Sequence, residues 1–403
     1  MVDLSLGRMA DPLSFQDLAT TNLEEAHAPG LASAVQWIPR SLLHLVRAAF
    51  STLLRRVVSN PDATADECGV IGIALFATYG LGTGAKGGTR QHRSLARQLR
   101  LITEGAFATL RAAAVSRARS RTDIAPPPPR GKPPDDDLPP PATPGLPTRI
   151  KRRFQKLVAS GELRKAANAL TPEKPAPFTE DTFSVLRSLH PPLPGAFPGD
   201  IMSMVVEEPV QVSMKTLRSA IKKMRSQVAP GPSLLTNDHF KQLFPHDAAD
   251  TGLEPLLTFV NMALAGAIGE RAADYLAASS LTALIKKDEN GVIKLNDDLK
   301  PCFRPLAMPE TLNRLIGLCA LITLQPEITD ILLKVQQVGV GVPGACEAIA
   351  EAVRLDLFDP EAEGASEQLS RVVFPFDMRN AFNSIDRRVV VSEVAARIPA
   401  LLP

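Results

Sequence analysis

From Ala125 to Pro147 the chain can form neither a helix nor a sheet. Four consecutive prolines precede Arg130, and Pro133 to Pro147 carries more around the acid run Asp135-Asp136-Asp137. Proline fixes its own φ, removes a backbone donor and biases the preceding residue toward extended backbone. Such a segment is polyproline-like and buries no core, so it reads as a disordered linker, with partner binding the rarer use. A second proline cluster, Pro191 to Pro198, interrupts the chain again, and the two clusters together hold 15 of the 36 prolines. Any folded part must therefore be assembled from the segments on either side.

Those segments can build a core. The chain has 403 residues, 45% of them hydrophobic, but only 5% aromatic, with one Trp and two Tyr. An Ala/Leu/Val-packed interior of this kind leans toward helices and away from a β-sandwich. Residues 1–35 read as a poorly ordered N-terminus. Residues 36–122 read as a helical region: Leu43, Val46, Phe50, Leu53, Leu54 and Val57 recur at helical spacing between Pro39 and Val58. Asp62–Ala85 reads as a second apolar helix ended by glycines, and Arg90–Arg119 as one long Ala/Arg/Leu helix. The linker spans 123–148. Residues 149–205 hold a basic helix and a proline-rich connection. From 206 to 370 come short helices at Ser213–Arg225, Asn237–Phe244, Glu254–Ile268, Leu312–Leu324 and Gly344–Leu357. Strands are expected at Leu281–Ile285 and Phe303–Met308, joined by a polar hairpin loop, Lys286–Lys300. Residues 371–403 finish with a strand, Val372–Asp377, and a helix, Arg387–Leu401.

The net charge of +2 excludes neither acidic nor basic partners. Its distribution says more. Arg90, Arg93, Arg97, Arg100, Arg111, Arg117, Arg119 and Arg121 meet almost no acid, and Arg149–Lys156 is also basic. Phosphate contact and an ordinary solvated helix face both fit this pattern. Cys68, Cys302, Cys319 and Cys346 stand far apart without Cys-x-x-Cys spacing, which reads as reduced thiols. Met1–Ser14 lacks a signal-peptide pattern, and the longest apolar run, near Gly69–Leu81, is short for a membrane span. The expectation is an intracellular protein, cytoplasmic or nuclear, without membrane association. Gly80–Gly88 is glycine-rich but lacks the Gly-Lys-Ser/Thr ending of a phosphate loop, and the six histidines show no metal spacing.

One stretch carries a specific chemistry. Phe374-Pro-Phe-Asp-Met-Arg-Asn-Ala-Phe-Asn-Ser-Ile-Asp-Arg387 places a carboxylate, Asp377, at the end of an apolar run, with an aromatic five residues on. Alone, such an Asp is a turn or cap residue. Followed by Asn380-Ala-Phe-Asn-Ser384, it resembles the first catalytic motif of reverse transcriptases of non-LTR (LINE-like) retrotransposons. Further fragments lie in that family's order: a basic helical stretch at Lys151–Leu170, Ala229-Pro-Gly-Pro-Ser-Leu-Leu235, Leu284-Ile-Lys-Lys287 with Arg304-Pro-Leu-Ala307, and Gln337-Val-Gly-Val-Gly-Val-Pro-Gly344. The resemblance covers about residues 150–403.

The resemblance implies a mostly α chain with a small α+β part. It would be a partial right-hand polymerase, fingers plus the first palm strand and helix, preceded by the helical region. Asp377 would be the catalytic, Mg²⁺-binding aspartate. Phe382 would lie under the incoming sugar, and Arg304, Lys286 and Lys287 would hold the triphosphate. The intact relative would carry out templated nucleotidyl transfer with an RNA template, a DNA primer and dNTPs through two metal ions. The family's aromatic-x-Asp-Asp motif occurs nowhere in the sequence, and Pro375 stands two residues before Asp377, where it removes a strand donor. A single aspartate does not build a two-metal site, so the chain alone is expected to be inactive. The alternative is a non-enzymatic nucleic-acid-binding or interaction remnant of a decayed element. Oligomeric state is not specified by the sequence.

Overall fold

The computed structural model describes residues 37–59, 66–82, 88–122, 148–159, 179–190, 208–245, 250–287, 292–295, 301–357 and 381–402, with isolated positions between them. The poorly ordered N-terminus expected at 1–35 and the linker at 123–148 fall almost wholly outside the described residues. So does the strand expected at Val372–Asp377.

The described chain is mostly helical with one small sheet. Its elements are α1 (Leu43–Val57), α2 (Glu67–Leu75), α3 (Gly88–Thr103), α4 (Phe107–Thr122), α5 (Thr148–Ala159), α6 (Glu180–Leu189), α7 (Met214–Lys223), α8 (Asn237–Leu243), α9 (Asp250–Leu264) and α10 (Glu270–Ala277). Two strands follow, β1 (Ser279–Ile285) and β2 (Phe303–Pro309), and then α11 (Thr311–Lys334), α12 (Ala345–Leu357), α13 (Ala381–Ser384) and α14 (Arg387–Arg397). Contacts divide the chain into two compact units, one of residues 1–118, 192–279 and 309–403, the other of residues 119–191 and 280–308.

The first unit is built around α1. Its stripe Val46, Ala49, Phe50, Leu53, Leu54 and Val57 is buried, as the helical spacing predicts. Phe50 meets Phe76, Phe240 and Phe244 edge-on, at centroid separations of 5.0, 6.0 and 5.9 Å. Such contacts add modestly to the large area that each ring buries. The same continuous core takes in Leu217 and Ile221 of α7, Leu256 and Phe259 of α9, and Leu315 and Cys319 of α11. Helices from both sides of the proline-rich linker thus share one interior. Leu18 is buried in it too.

α2 is buried on every side from Gly69 onward and continues into a wider turn, Phe76–Gly80. Asp66 caps it by accepting from the Gly69 N–H, and pairs with Arg56 of α1 at 3.0 Å. Side-chain caps also start α7 (Ser213) and α8, where Thr236 and His239 form a reciprocal capping box.

Several boundaries differ from the sequence reading, each for a local reason. The single helix expected over Arg90–Arg119 is two. The Ala106 N–H donates to the Leu101 carbonyl and the Gly105 N–H to the Ile102 carbonyl, with Gly105 at φ 74. That pairing is a Schellman stop with glycine in the left-handed region. The same device at Gly266 ends α9 at Leu264 instead of Ile268. α11 runs past Leu324 to Lys334 and tolerates Pro326, although proline forfeits one helical hydrogen bond. α6 and α10 occupy stretches read only as connections.

α11 bears on the expectation about apolar runs. It has 24 residues, with an 18-residue window of mean hydropathy 1.5, and by length and composition alone is the one helix among the described residues long and apolar enough to cross a membrane. Its first half is core, with Leu312, Leu315, Cys319 and Ala320 buried.

In the second unit, β1 and β2 form a two-stranded antiparallel sheet. Ala283, Ile285 and Phe303 gather on one face against Ala176 and Leu186 of α6. The Ala176 N–H donates to the Ala283 carbonyl at 2.8 Å, so the segment before α6 extends the edge of β1.

Candidate functional site

β2 opens with alternating burial, Phe303 and Pro305 partly buried and Arg304 and Leu306 exposed, while β1 is buried at Ala283 and partly buried on either side of it. The period of two that turns Ile285 and Phe303 inward turns Lys286 and Arg304 to the other face, where both are exposed. The Lys286 N–H donates to the Cys302 carbonyl at 2.9 Å, which fixes this register. The ladder persists beyond β1 in bridges between Lys287 and Ile293 and between Leu295 and Pro301. Lys287 is exposed as well. The hairpin therefore presents two lysines and an arginine to solvent. Sequence reasoning placed both strands within two residues of their observed ends.

Asp377 lies outside the described residues. Phe382 belongs to the single turn α13. Asp386 caps α14: its carboxylate accepts from the Arg388 N–H at 2.9 Å and pairs with the Arg388 guanidinium at 2.6 Å. That pairing pulls its carboxyl below the ordinary range.

The most heavily bonded polar cluster described was not read from the sequence. It sits at the end of β2, where Glu310 occupies the N-cap position of α11 without a side-chain capping bond and is 3% exposed. The turn Ala229–Leu235 folds against it. The Ser233 N–H donates to Glu310 Oε1 at 2.7 Å and the Ser233 hydroxyl to Oε2 at 2.6 Å. The Tyr275 hydroxyl, from α10, lies 3.2 Å from Oε1 and 3.3 Å from the Ala74 carbonyl. Its one proton serves two acceptors.

Three further bonds hold the turn. The Thr311 hydroxyl donates to the Leu235 carbonyl at 2.5 Å, an Arg314 nitrogen to the Ala229 carbonyl at 2.7 Å, and the Thr78 hydroxyl to the Ser233 carbonyl at 3.3 Å. Gly231 passes so close that a Cβ there would sit 2.8 Å from the Glu310 backbone. Leu234 takes a positive φ of 62.

Burial pushes the Glu310 carboxyl up, against the pull of the Ser233 donors. Burial, and then the neighbouring carboxylate, push the Tyr275 phenol well above its usual range. Chemically the cluster is a clamp. It locks the proline-glycine turn to the strand–helix junction, and both carboxylate oxygens are already engaged.

The remaining titratable chemistry is sparse. Among the described residues no group of three or more His, Cys, Asp or Glu side chains converges on a metal-sized site. The four cysteines are free thiols, and burial pushes Cys319 up to about 12, which makes it inert at neutral pH. An apolar cleft of about 200 Å³, floored by Ile221, Phe244 and Leu253, is rimmed by Arg218, Lys222 and Lys241.

No family model matches this chain, and neither a curated protein nor a solved structure does.

Proposed function

We propose that residues 150–403 are a portion of an RNA-directed DNA polymerase of the non-LTR retrotransposon type. The observation that carries this reading is the ordered series of fragments from Lys151 to Asp386, ending in the Asp377 motif. The solvent-facing cations of the β1–β2 hairpin and the clamped turn before it support it. In this reading Arg304, with Lys286 and Lys287, grips the triphosphate by charge-assisted hydrogen bonds. Phe382 lies under the sugar, and Asp377 is a carboxylate ligand for Mg²⁺, a hard cation suited to oxygen donors. Bound Mg²⁺ would neutralise charge on the transferring phosphate.

A two-metal reaction needs more carboxylates than Asp377 supplies. The 403-residue polypeptide is therefore a binder of nucleotide and metal rather than a working polymerase. Photoaffinity labelling with an azido-dATP in Mn²⁺ tests this, together with primer extension on an RNA template. Labelling should map to residues 284–306, fall at least about fivefold in Arg304→Ala, and lose its Mn²⁺ dependence in Asp377→Asn. Such losses are of the size expected when one charged contact is removed. No primer should be extended. Labelling indifferent to both substitutions would remove the polymerase reading.

A further inference from the structure

α3 carries four arginines, Arg90, Arg93, Arg97 and Arg100, and no acid across its 16 residues. At about 100° per residue these four fall within an arc of about 80°. The arc lies opposite the buried Leu95, Gln98, Leu99 and Ile102. All four are exposed, and none is held by an ion pair among the described residues. Glu104, at the C-cap on the same line, pairs with neither Arg97 nor Arg100. The core face is fully used, so the arginine face is left to solvent.

We infer that this face is a docking surface for the phosphate backbone of a nucleic-acid duplex. From Arg90 to Arg100 the stripe rises about 15 Å, roughly four phosphates along one strand of a duplex. Guanidinium forks match phosphate oxygens bidentately, whereas ammonium groups act as point charges. The chemistry of the face argues against the other anionic partners. A protein interface needs apolar anchors at its centre, and no large apolar side chain is exposed among the described residues between Trp37 and Val158. A membrane-surface helix needs a free apolar face, and that of α3 is buried in the core. The contact is to backbone only and carries no sequence preference. The surface lies outside the stretch that resembles a polymerase, and the inference holds whether or not Asp377 binds metal.

The test uses the full chain and fluorescence anisotropy with a 20-base-pair RNA duplex and its DNA counterpart, in EDTA, across a salt series. Keeping metal out separates this test from that of the polymerase reading. Replacing all four residues (Arg90→Gln, Arg93→Gln, Arg97→Gln, Arg100→Gln) should reduce the slope of log K against log salt by about 3–4. The thermal melt should be unchanged, because the four side chains are exposed. The matching set of Lys substitutions should keep most of that slope while weakening binding several-fold. An unchanged slope in the Gln variant overturns the inference. So does binding of phosphatidylserine vesicles or polyglutamate as tight as that of either duplex.

Discussion

Glu310 is the residue on which the first unit's polar interior depends. It is buried beside two hydroxyls and a backbone N–H that all point at its carboxylate. Truncation to Ala would strand those donors without solvent, at about 1–3 kcal/mol each. Glu310→Ala should therefore destabilise by about 3 kcal/mol or more in urea denaturation. Glu310→Gln keeps the shape and most of the bonds, and should cost far less. The pair also gives a sign for pH. The folded carboxyl titrates above its unfolded value of about 4.3, so the folded state holds its proton longer. Stability from this group is complete below that pH and falls as pH rises through the raised folded value. Protonation also lets Glu310 donate to the Tyr275 oxygen, which frees the phenolic proton for Ala74. Measured from pH 4 to 7, the wild type should lose stability relative to Glu310→Gln. A gap that instead widens in the wild type's favour would mean that the ionised clamp is the stable one.

At the scale of elements, short-range signals were legible and stops were not. The stripe of α1 announces itself because core contact repeats with the period of the helix, and β1 and β2 are short apolar runs on either side of a polar loop. The break between α3 and α4 hangs on one residue, Gly105, in a run of good helix formers, so periodicity carries straight through it. α10 escaped notice although Ala272, Tyr275 and Leu276 are its buried face. The candidate site shows the same limit more sharply. The cations of the hairpin were singled out by the family resemblance of short local strings, whereas Tyr275, Glu310 and Ser233 come together from positions 35 and 77 residues apart. No local pattern announces such a meeting. The α3–α4 break can be tested directly. Gly105→Ala forces a Cβ into the left-handed region and should cost about 1–2 kcal/mol in urea denaturation, with Gly105→Asn costing less. An Ala variant more stable than wild type would show that the two helices run on as one.

Over the molecule as a whole, burial is lopsided along the chain. α1, α2 and the helices from α7 to the first half of α11 saturate a single interior, each presenting a well-filled face to it. Among the described positions from Leu321 to Leu402, by contrast, Ala345 is the one buried residue, and α14 buries none. Leu321, Leu333 and Leu355 are 55%, 47% and 58% exposed, and Val335, Val340, Val389 and Val390 are exposed with them. Scattered apolar residues are normal on a surface, but several on successive helices favour association. The isolated chain should therefore bind a hydrophobic dye and self-associate, and both properties should trace to this region. Changing Leu321, Leu333 and Leu355 together to Gln should lower dye fluorescence and sedimenting oligomer while leaving the melting temperature within about 2 °C, because exposed positions contribute little to stability. Leu315→Ala, in the same helix but buried at 0%, should do the reverse: about 2–5 kcal/mol of stability lost, and more dye bound as the core loosens. If the triple Gln variant melts as far below wild type as Leu315→Ala does, the second half of α11 is packed as tightly as the first. The association surface would then have to lie elsewhere.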